Sequence, residues 1–461
     1  MASPISRRQL LKTAALSGLL GLGVNRSMRA AADSVQCSET SCVFVFLFGG
    51  QSHLDLWDMK PAAPREVRGE FYPISTSVPG IQICEHLPEL AQQMSRFSLI
   101  RSMTHKMPVH GPACSEVYSG REYFGPPTTD QALPQDWPSL ASLVERFVPN
   151  STSGIPPSVV LPWYTQFVGQ DKIIAGQTGG RMGSRFDPFL IEGNPVESEF
   201  EIHGLKPLNE LNAPRLQQRQ RLVSVLESKF GQQFLNSARG QLLERQYRQA
   251  FQLISDQRLF EASELSRESD ATRDRYGRTR FGQSMLLARR LVESGTRLVT
   301  VNWDDDHKDD KVSPHWDTHV ENFPKLKARL CPPFDRALAT FLQDLDQRGL
   351  LEKTLVVALG EFGRTPKVGA ISQNNMTESS GRDHWPHAFT ALIAGGKLGG
   401  GKMYGKTTSN GGYVDSDPVH PADLTATILQ HLGIEPTLEY DDEFTQQKQR
   451  LCEGSPLVSL G

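Results

Sequence analysis

The chain has 461 residues, 38% of them hydrophobic and 22% charged, with a formal net charge of -3. That length suffices for one large α/β domain with insertions or for several average ones. The balanced charge excludes a global basic face for nucleic acid and a strongly acidic tail, so any recognition of a polyanion must come from a local site.

At the amino terminus, Ser6-Arg7-Arg8-Gln9-Leu10-Leu11-Lys12 precedes an apolar stretch from Thr13 to Val24 and then Arg29-Ala30-Ala31-Ala32. Paired arginines, an apolar region and a small-residue cleavage site, in that order, predict a twin-arginine export signal over residues 1–32. The apolar run is well short of the ~20 residues a spanning helix needs. The expectation is therefore a mature chain from about Asp33, without a stable membrane span, delivered by the twin-arginine machinery to the periplasm or cell envelope. Six cysteines, Cys37, Cys42, Cys84, Cys114, Cys331 and Cys452, follow the signal, where disulfides are permitted. None forms a C-x-x-C or zinc pattern, and Cys37 with Cys42 is a candidate pair by proximity. Buried thiols are the alternative.

The run Cys42 to Phe48 is continuously apolar and ends at Gly49-Gly50, which predicts a buried central strand followed by a loop able to carry chemistry. Leu87, Leu90 and Met94 have helical spacing, and Ser98 to Ile100 and Ser158 to Leu161 read as short strands. From Pro214 to about Arg267 the composition shifts to Gln, Arg, Glu and Leu, with Leu243, Tyr247, Phe251 and Ile254 at helical spacings, which predicts a helical insertion over about 205–275. Phe281, Met285, Ala288 and Val292 mark a helix leading into the strand Arg297 to Val301. A helix from Phe334 to Asp346, strands Thr354 to Leu359 and Ala388 to Ala394, and a helix from Ala422 to Leu432 complete the alternation. The pattern predicts an α/β fold with a mainly parallel central sheet and helices on both faces.

Polar clusters recur just after the predicted strands, where open α/β sheets place their ligands. Gly49-Gly50-Gln51-Ser52-His53-Leu54-Asp55-Leu56-Trp57-Asp58 offers Asp55, or Asp58, as a metal ligand, although either aspartate is also suited to capping a turn. After Val301 come the acidic loop Asp304 to Asp310 and then His315-Trp316-Asp317-Thr318-His319. Within it Asp317 and His319 are the preferred metal ligands, and the acidic run reads as a solvated loop. Beyond Leu359, Glu361 sits at a strand end, and Gly381-Arg382-Asp383-His384 brings His384, or Asp383, back toward it. Arg364 and Arg382 have the fork geometry for a phosphate or sulfate, with surface salt bridges as their alternative role. Asp423 reads as a first-turn helix carboxylate.

Three stretches carry a family resemblance. GLLEKTLVVALGEFG (349–363) resembles the sulfatase segment in which G-L-x-x-N-T and a hydrophobic strand lead to S-D-N-G, and Glu361 falls on its metal-binding Asp. HPADLTATILQHLGI (420–434) resembles the late sulfatase segment D-L-x-P-T-hydrophobic-L-x-x-x-G-I. HLPELAQQMSRFSLIRSMTHKMPVHGPACSEVYSGR (86–121) follows the pattern that ends in C-x-P-S-R-x-x-x-x-T-G-R, with His110 on the cysteine that becomes the modified nucleophile. More closely, GGQSHLDLWDMKP, YGRTRFGQSMLLARRLVESGTRLVTV, WDTH, EFGRTP and GRDHWP resemble the exported family known as domain of unknown function 1501. This resemblance implies the alkaline phosphatase-like fold and metal ligands without naming a substrate.

The departures narrow the chemistry. Glu361 replaces Asp, Phe362 stands where Asn or His is usual, and His110 replaces Cys, Ser or Thr, so no formylglycine can form there. An imidazole is able to attack phosphorus, transfer protons or bind a metal. Ser115 and Cys114 are offset alternatives for the nucleophile. The resulting expectation is a metal-dependent hydrolase of phosphate or sulfate esters, acting on a small-molecule or glycan ester. Its divalent ion (zinc, manganese or calcium) would be held by Asp55, Asp317, His319, Glu361 and His384, with His110, Arg364 and Arg382 catalytic. An exported binding protein retaining the hydrolase fold is the alternative, and a phosphomutase a third reading.

Overall fold

The computed structural model describes residues 39–126, 131–148, 155–197, 200, 202, 218, 221–222, 257–304, 310, 312–373 and 377–458. The export signal, Cys37, the acidic residues 305–309 and the apolar positions Leu243, Tyr247, Phe251 and Ile254 lie outside them. Of the predicted insertion, the described part includes two short helices, Gln257–Ser263 and Asp270–Tyr276.

The apolar runs become the strands of one sheet. In chain order these are β1 (Ser41–Phe46), β2 (Phe97–Met103), β3 (Ser158–Leu161), β4 (Leu298–Asn302), β5 (Thr354–Leu359) and β6 (Phe389–Ala394). The sheet has eight strands, in the order Met403–Tyr404, β2, β6, β5, β1, β4, β3, Phe189–Leu190. Pairings are parallel except where β6 runs antiparallel to both β5 and β2. The expected mainly parallel sheet is thus present, with an antiparallel strand inside it.

Every residue of β1 is buried, because both faces of the sheet are covered. Alternate side chains divide between two cores. Val43 and Val45 join Val299, Val301, Val356 and Ala358 on one face, whereas Cys42, Phe44 and Phe46 join Leu298, Leu355, Val357 and Leu359 on the other. Each fully buried Phe or Val contributes about 1.5–3 kcal/mol relative to exposure. Five helices supply much of the covering: α1 (His110–Ser119), α2 (Leu140–Phe147), α3 (Arg280–Ser294), α4 (Cys331–Gln347) and α5 (Pro421–His431). Residues of α3 and α4 fill the first core, and those of α1, α2 and α5 the second.

Two helix ends bear on the site. α1 begins at His110 after extended Val109, tolerates Pro112 in its first turn because that N–H would be unsatisfied anyway, and stops at Gly120 in the left-handed region (φ 65°). A Cβ at Gly120 would lie 2.3 Å from Thr425 Oγ1 of α5, so glycine both ends the helix and admits its neighbour. At α5, Asp423 is a first-turn carboxylate as expected, and it also accepts from the His420 amide at 2.9 Å in a capping box.

The described cysteines Cys42, Cys84, Cys114, Cys331 and Cys452 are buried and unpaired, so the buried-thiol alternative describes them. Burial pushes the Cys84 thiol up to about 12, well away from thiolate reactivity. Cys114 and Ser115 are buried within α1. Among the described residues, no helix is long and apolar enough to cross a membrane.

Candidate metal centre

Loops at the carboxyl ends of β1, β4 and β5 converge with the start of α1. The close approach begins at Gly49, whose φ of +108° suits glycine, and a Cβ there would lie 2.3 Å from the Asp317 amide nitrogen. Trp316 anchors the facing loop: it is fully buried, meets Phe334 of α4 edge-on at 5.4 Å between centroids, and donates its backbone N–H to Phe48 O at 3.1 Å. This anchoring delivers Asp317 and His319 to the site. His384 arrives on the two-residue strand His384–Trp385, paired antiparallel with Gly363–Arg364.

His110, Asp317, His319 and His384 each offer a ligand atom, all within 4.8 Å of one another, and all four residues are buried. The tightest part is a trio. Asp317 Oδ1 lies 2.9 Å from His319 Nε2 and 3.2 Å from His384 Nε2, and the two nitrogens are 2.9 Å apart. The second ring nitrogens decide what points inward. His384 Nδ1 faces the Pro108 carbonyl at 2.8 Å and must carry hydrogen to bond it, which leaves a lone pair on Nε2 when the ring is neutral. His319 Nδ1 sits 2.8 Å from Thr377 Oγ1 and 3.5 Å from Asp383 Oδ1, an orientation that likewise turns Nε2 inward. Such outer partners fix the tautomer in metal-ligating histidines.

For His384 the electrostatics favour that protonation state. Burial, with the adjacent His110, lowers His384 to about 3, keeping it neutral. Burial alone would raise Asp317, but His110 and Arg364 hold its carboxyl well below the usual range. Two imidazole lone pairs and a carboxylate oxygen therefore share one small volume, a donor set that a divalent cation satisfies.

His110 stands on the fourth side. Its Nε2 is 3.2 Å from Asp317 Oδ2, and its Nδ1 donates to Glu361 Oε1 at 2.5 Å. Burial opposes its protonation, but the carboxylates of Asp317 and Glu361 outweigh that and raise it to about 9 in the metal-free site. Glu361 is fully buried and accepts the Gly49 amide at 3.0 and 3.2 Å, while His105 Nε2 donates to its backbone carbonyl at 2.5 Å. Glu361 thus lies behind His110, and of the five ligands expected from sequence Asp317, His319 and His384 come together.

Asp55 departs further from that set. Arg382 binds both its oxygens, at 2.8 and 2.9 Å, and Ser52 and Asn322 complete its partners. Both members of the ion pair are fully buried. The remaining Arg382 donors go to the carbonyls of Val67, Thr365 and Pro366, so this guanidinium is not turned to an incoming anion. Arg364 is also fully buried; it holds Asp317 Oδ1 at 2.6 Å and spends its other donors on the carbonyls of Gly49, Gly50, Trp316 and Arg382. It holds Asp317 in place, where sequence suggested an anion clamp. Asp58 is tied to Lys60, Arg101 and Thr407, and Asp383 accepts the amides of Ser372, Gln373 and His384. Asp304 pairs with Arg280. Sequence reasoning missed the supports Thr377 and Asn322, isolated polar residues with no motif around them.

The chain matches the model of a protein family of unknown function, DUF1501, over residues 39–458. No curated protein matches it. Among solved structures it is similar to Ps i-CgsB in complex with k-i-k-neocarrahexaose, at 11% identity over 91% of this chain and 75% of that one, with a TM-score of 0.42. The PsFucS1 sulfatase from Pseudoalteromonas sp. shares 11% identity over 89% and 72% of the two chains, with a TM-score of 0.36. A protein in the alkaline phosphatase superfamily from Vibrio parahaemolyticus shares 10% identity over 87% and 68%, also with a TM-score of 0.36.

Proposed function

We propose that this chain, which belongs to the DUF1501 family, is an exported metal-dependent hydrolase of phosphate or sulfate esters. The observation that carries the reading is the meeting of Asp317 Oδ1 with the Nε2 atoms of His319 and His384, at 2.9 and 3.2 Å, in a buried site. Three such ligands are the protein complement of catalytic rather than structural zinc sites, and His110 stands on the fourth side. Two imidazoles suit zinc or manganese better than calcium, which takes oxygen ligands. Bound there, the ion supplies Lewis-acid polarisation of an ester oxygen and stabilises developing charge.

The chain's own residues do the rest. Arg364 keeps Asp317 ionised and aimed at the trio. Glu361, itself held by Gly49 and His105, engages His110 Nδ1 and leaves Nε2 as the working nitrogen, placed to hold or deliver a proton at the reacting oxygen. Esters of phosphate or sulfate are favoured by the sulfatase-like segments that contribute His110 and Glu361, and the twin-arginine start supports action in the periplasm or cell envelope.

The test is metal content of the purified mature chain by mass spectrometry, with turnover of phosphomonoesters, phosphodiesters and sulfate esters before and after chelation. About one divalent ion per chain and chelator-sensitive turnover are expected. Stoichiometric metal without turnover would leave a binding protein, and neither metal nor turnover would sink the proposal entirely.

The Glu361–His110 pair has its own test. Glu361→Gln is expected to lower kcat by roughly 10²–10⁴-fold, the usual worth of a positioned acid or base, with bound metal unchanged because the trio is untouched. Nitrogen NMR of His110 reports the altered tautomer. Loss of metal in this variant would show Glu361 to act as a ligand after all.

A further inference from the structure

Beside the metal centre lies a cavity of about 460 Å³, within the ~300–1,000 Å³ typical of small-molecule sites. Phe48 and Phe167 connect the two: both line the cavity, and their rings lie 5.3 and 5.8 Å from the His110 imidazole. A molecule filling the cavity would therefore abut the proposed reaction site.

The walls are aromatic and the charge is one-sided. Trp163, Tyr164 and Phe167 are partly exposed, and the described lining includes Asp171, Glu192 and Asp304 together with His315 but no lysine or arginine. Asp304 is ion-paired with Arg280, whose guanidinium also sits 5.1 Å from the centre of the Trp163 ring. That cation already occupies the ring's electrostatic attraction for positive charge. Asp171 and Glu192 are exposed and, when ionised, can only accept hydrogen bonds. A ligand suited to this lining has an apolar ring face for the aromatic walls, hydroxyl donors for the carboxylates, and no negative charge of its own.

We propose that this cavity binds a sugar ring that carries no negative charge, the alcohol half of the ester cleaved at the neighbouring site. Its role as a substrate pocket rests on the hydrolase reading, whereas sugar binding itself does not. The pocket discriminates against uronates and other anionic sugars through Asp171 and Glu192, and Trp163 provides the stacking surface.

The experiment titrates the metal-loaded mature chain with methyl glucoside, methyl glucuronide and methyl glucosaminide, following binding by calorimetry and saturation-transfer NMR. The glucoside is expected to bind at least about tenfold more tightly than the glucuronide, with the glucosaminide at least as tight as the glucoside. Trp163→Ala should weaken glucoside binding about tenfold or more at unchanged metal content. The double variant Asp171→Asn/Glu192→Gln, confined to exposed side chains and so safe for folding, should erase most discrimination against the glucuronide. Glucuronide binding equal to or tighter than that of the glucoside, or no binding of any of the three, would overturn the proposal. Sugar binding without ester turnover would count against the hydrolase reading alone, and ester turnover without sugar selectivity against the pocket alone.

Discussion

Replacing Asp55 with alanine is expected to destabilise the fold by about 3–5 kcal/mol, because it strands the Arg382 guanidinium in a site with no access to water. The surrounding carbonyls of Val67, Thr365 and Pro366 would still accept its hydrogen bonds but cannot neutralise its charge. Denaturant titration of the metal-free protein measures the loss directly. Joint replacement, Asp55→Leu with Arg382→Met, removes both charges and should recover much of the stability. A single-variant loss below about 1 kcal/mol would contradict this account. Metal content provides the second arm: Asp55→Asn should retain its ion, and loss of the ion with stability intact would restore Asp55 as a ligand.

His384→Ala carries the largest expected functional effect. The ring is neutral, so its removal leaves no buried charge behind, and the damage should fall on the donor set rather than on the fold. Metal affinity is expected to fall by more than about 100-fold, beyond the 10–100-fold typical when only an outer partner is lost. Competition with a chromophoric chelator measures it, and turnover should vanish in parallel at limiting metal. Retention of wild-type affinity would remove His384 from the centre. Asp317 is a less clean target, since its substitution would also deprive buried Arg364 of its carboxylate.

The elements were largely legible in the sequence. Ser158–Leu161 and Thr354–Leu359 are the strands that the apolar runs predict, and the helices at 280–294 and 331–347 differ from their predicted spans only at the ends. Buried strands and amphipathic helices announce themselves through local periodicity, which neighbouring residues carry. The antiparallel run of β6 was not legible, because strand direction follows from chain path and leaves no mark on an all-apolar segment.

The site was legible in kind but not in arrangement. Asp317, His319 and His384 stood out because histidine and aspartate followed predicted strands, and His110 because of its motif position. Residue type could not separate Asp55 from Asp317: each is an aspartate in a loop after a strand. The difference is the partner. Arg382 takes Asp55 at both oxygens, whereas Arg364 takes Asp317 at one and leaves the carboxylate open to the three histidines.

By itself, the sequence determined the class of the fold, the loops that bear its polar residues and the family to which the chain belongs, since these reside in local patterns and contiguous segments. The tertiary structure decided which carboxylates are neutralised within the fold and which face the histidine cluster. It also set Glu361 behind His110, and brought Phe48 and Phe167, which line the neighbouring cavity, against that histidine. Those assignments depend on pairings across hundreds of residues, such as Asp55 with Arg382, and charge compensation at that range is a property of packing rather than of any local stretch of chain.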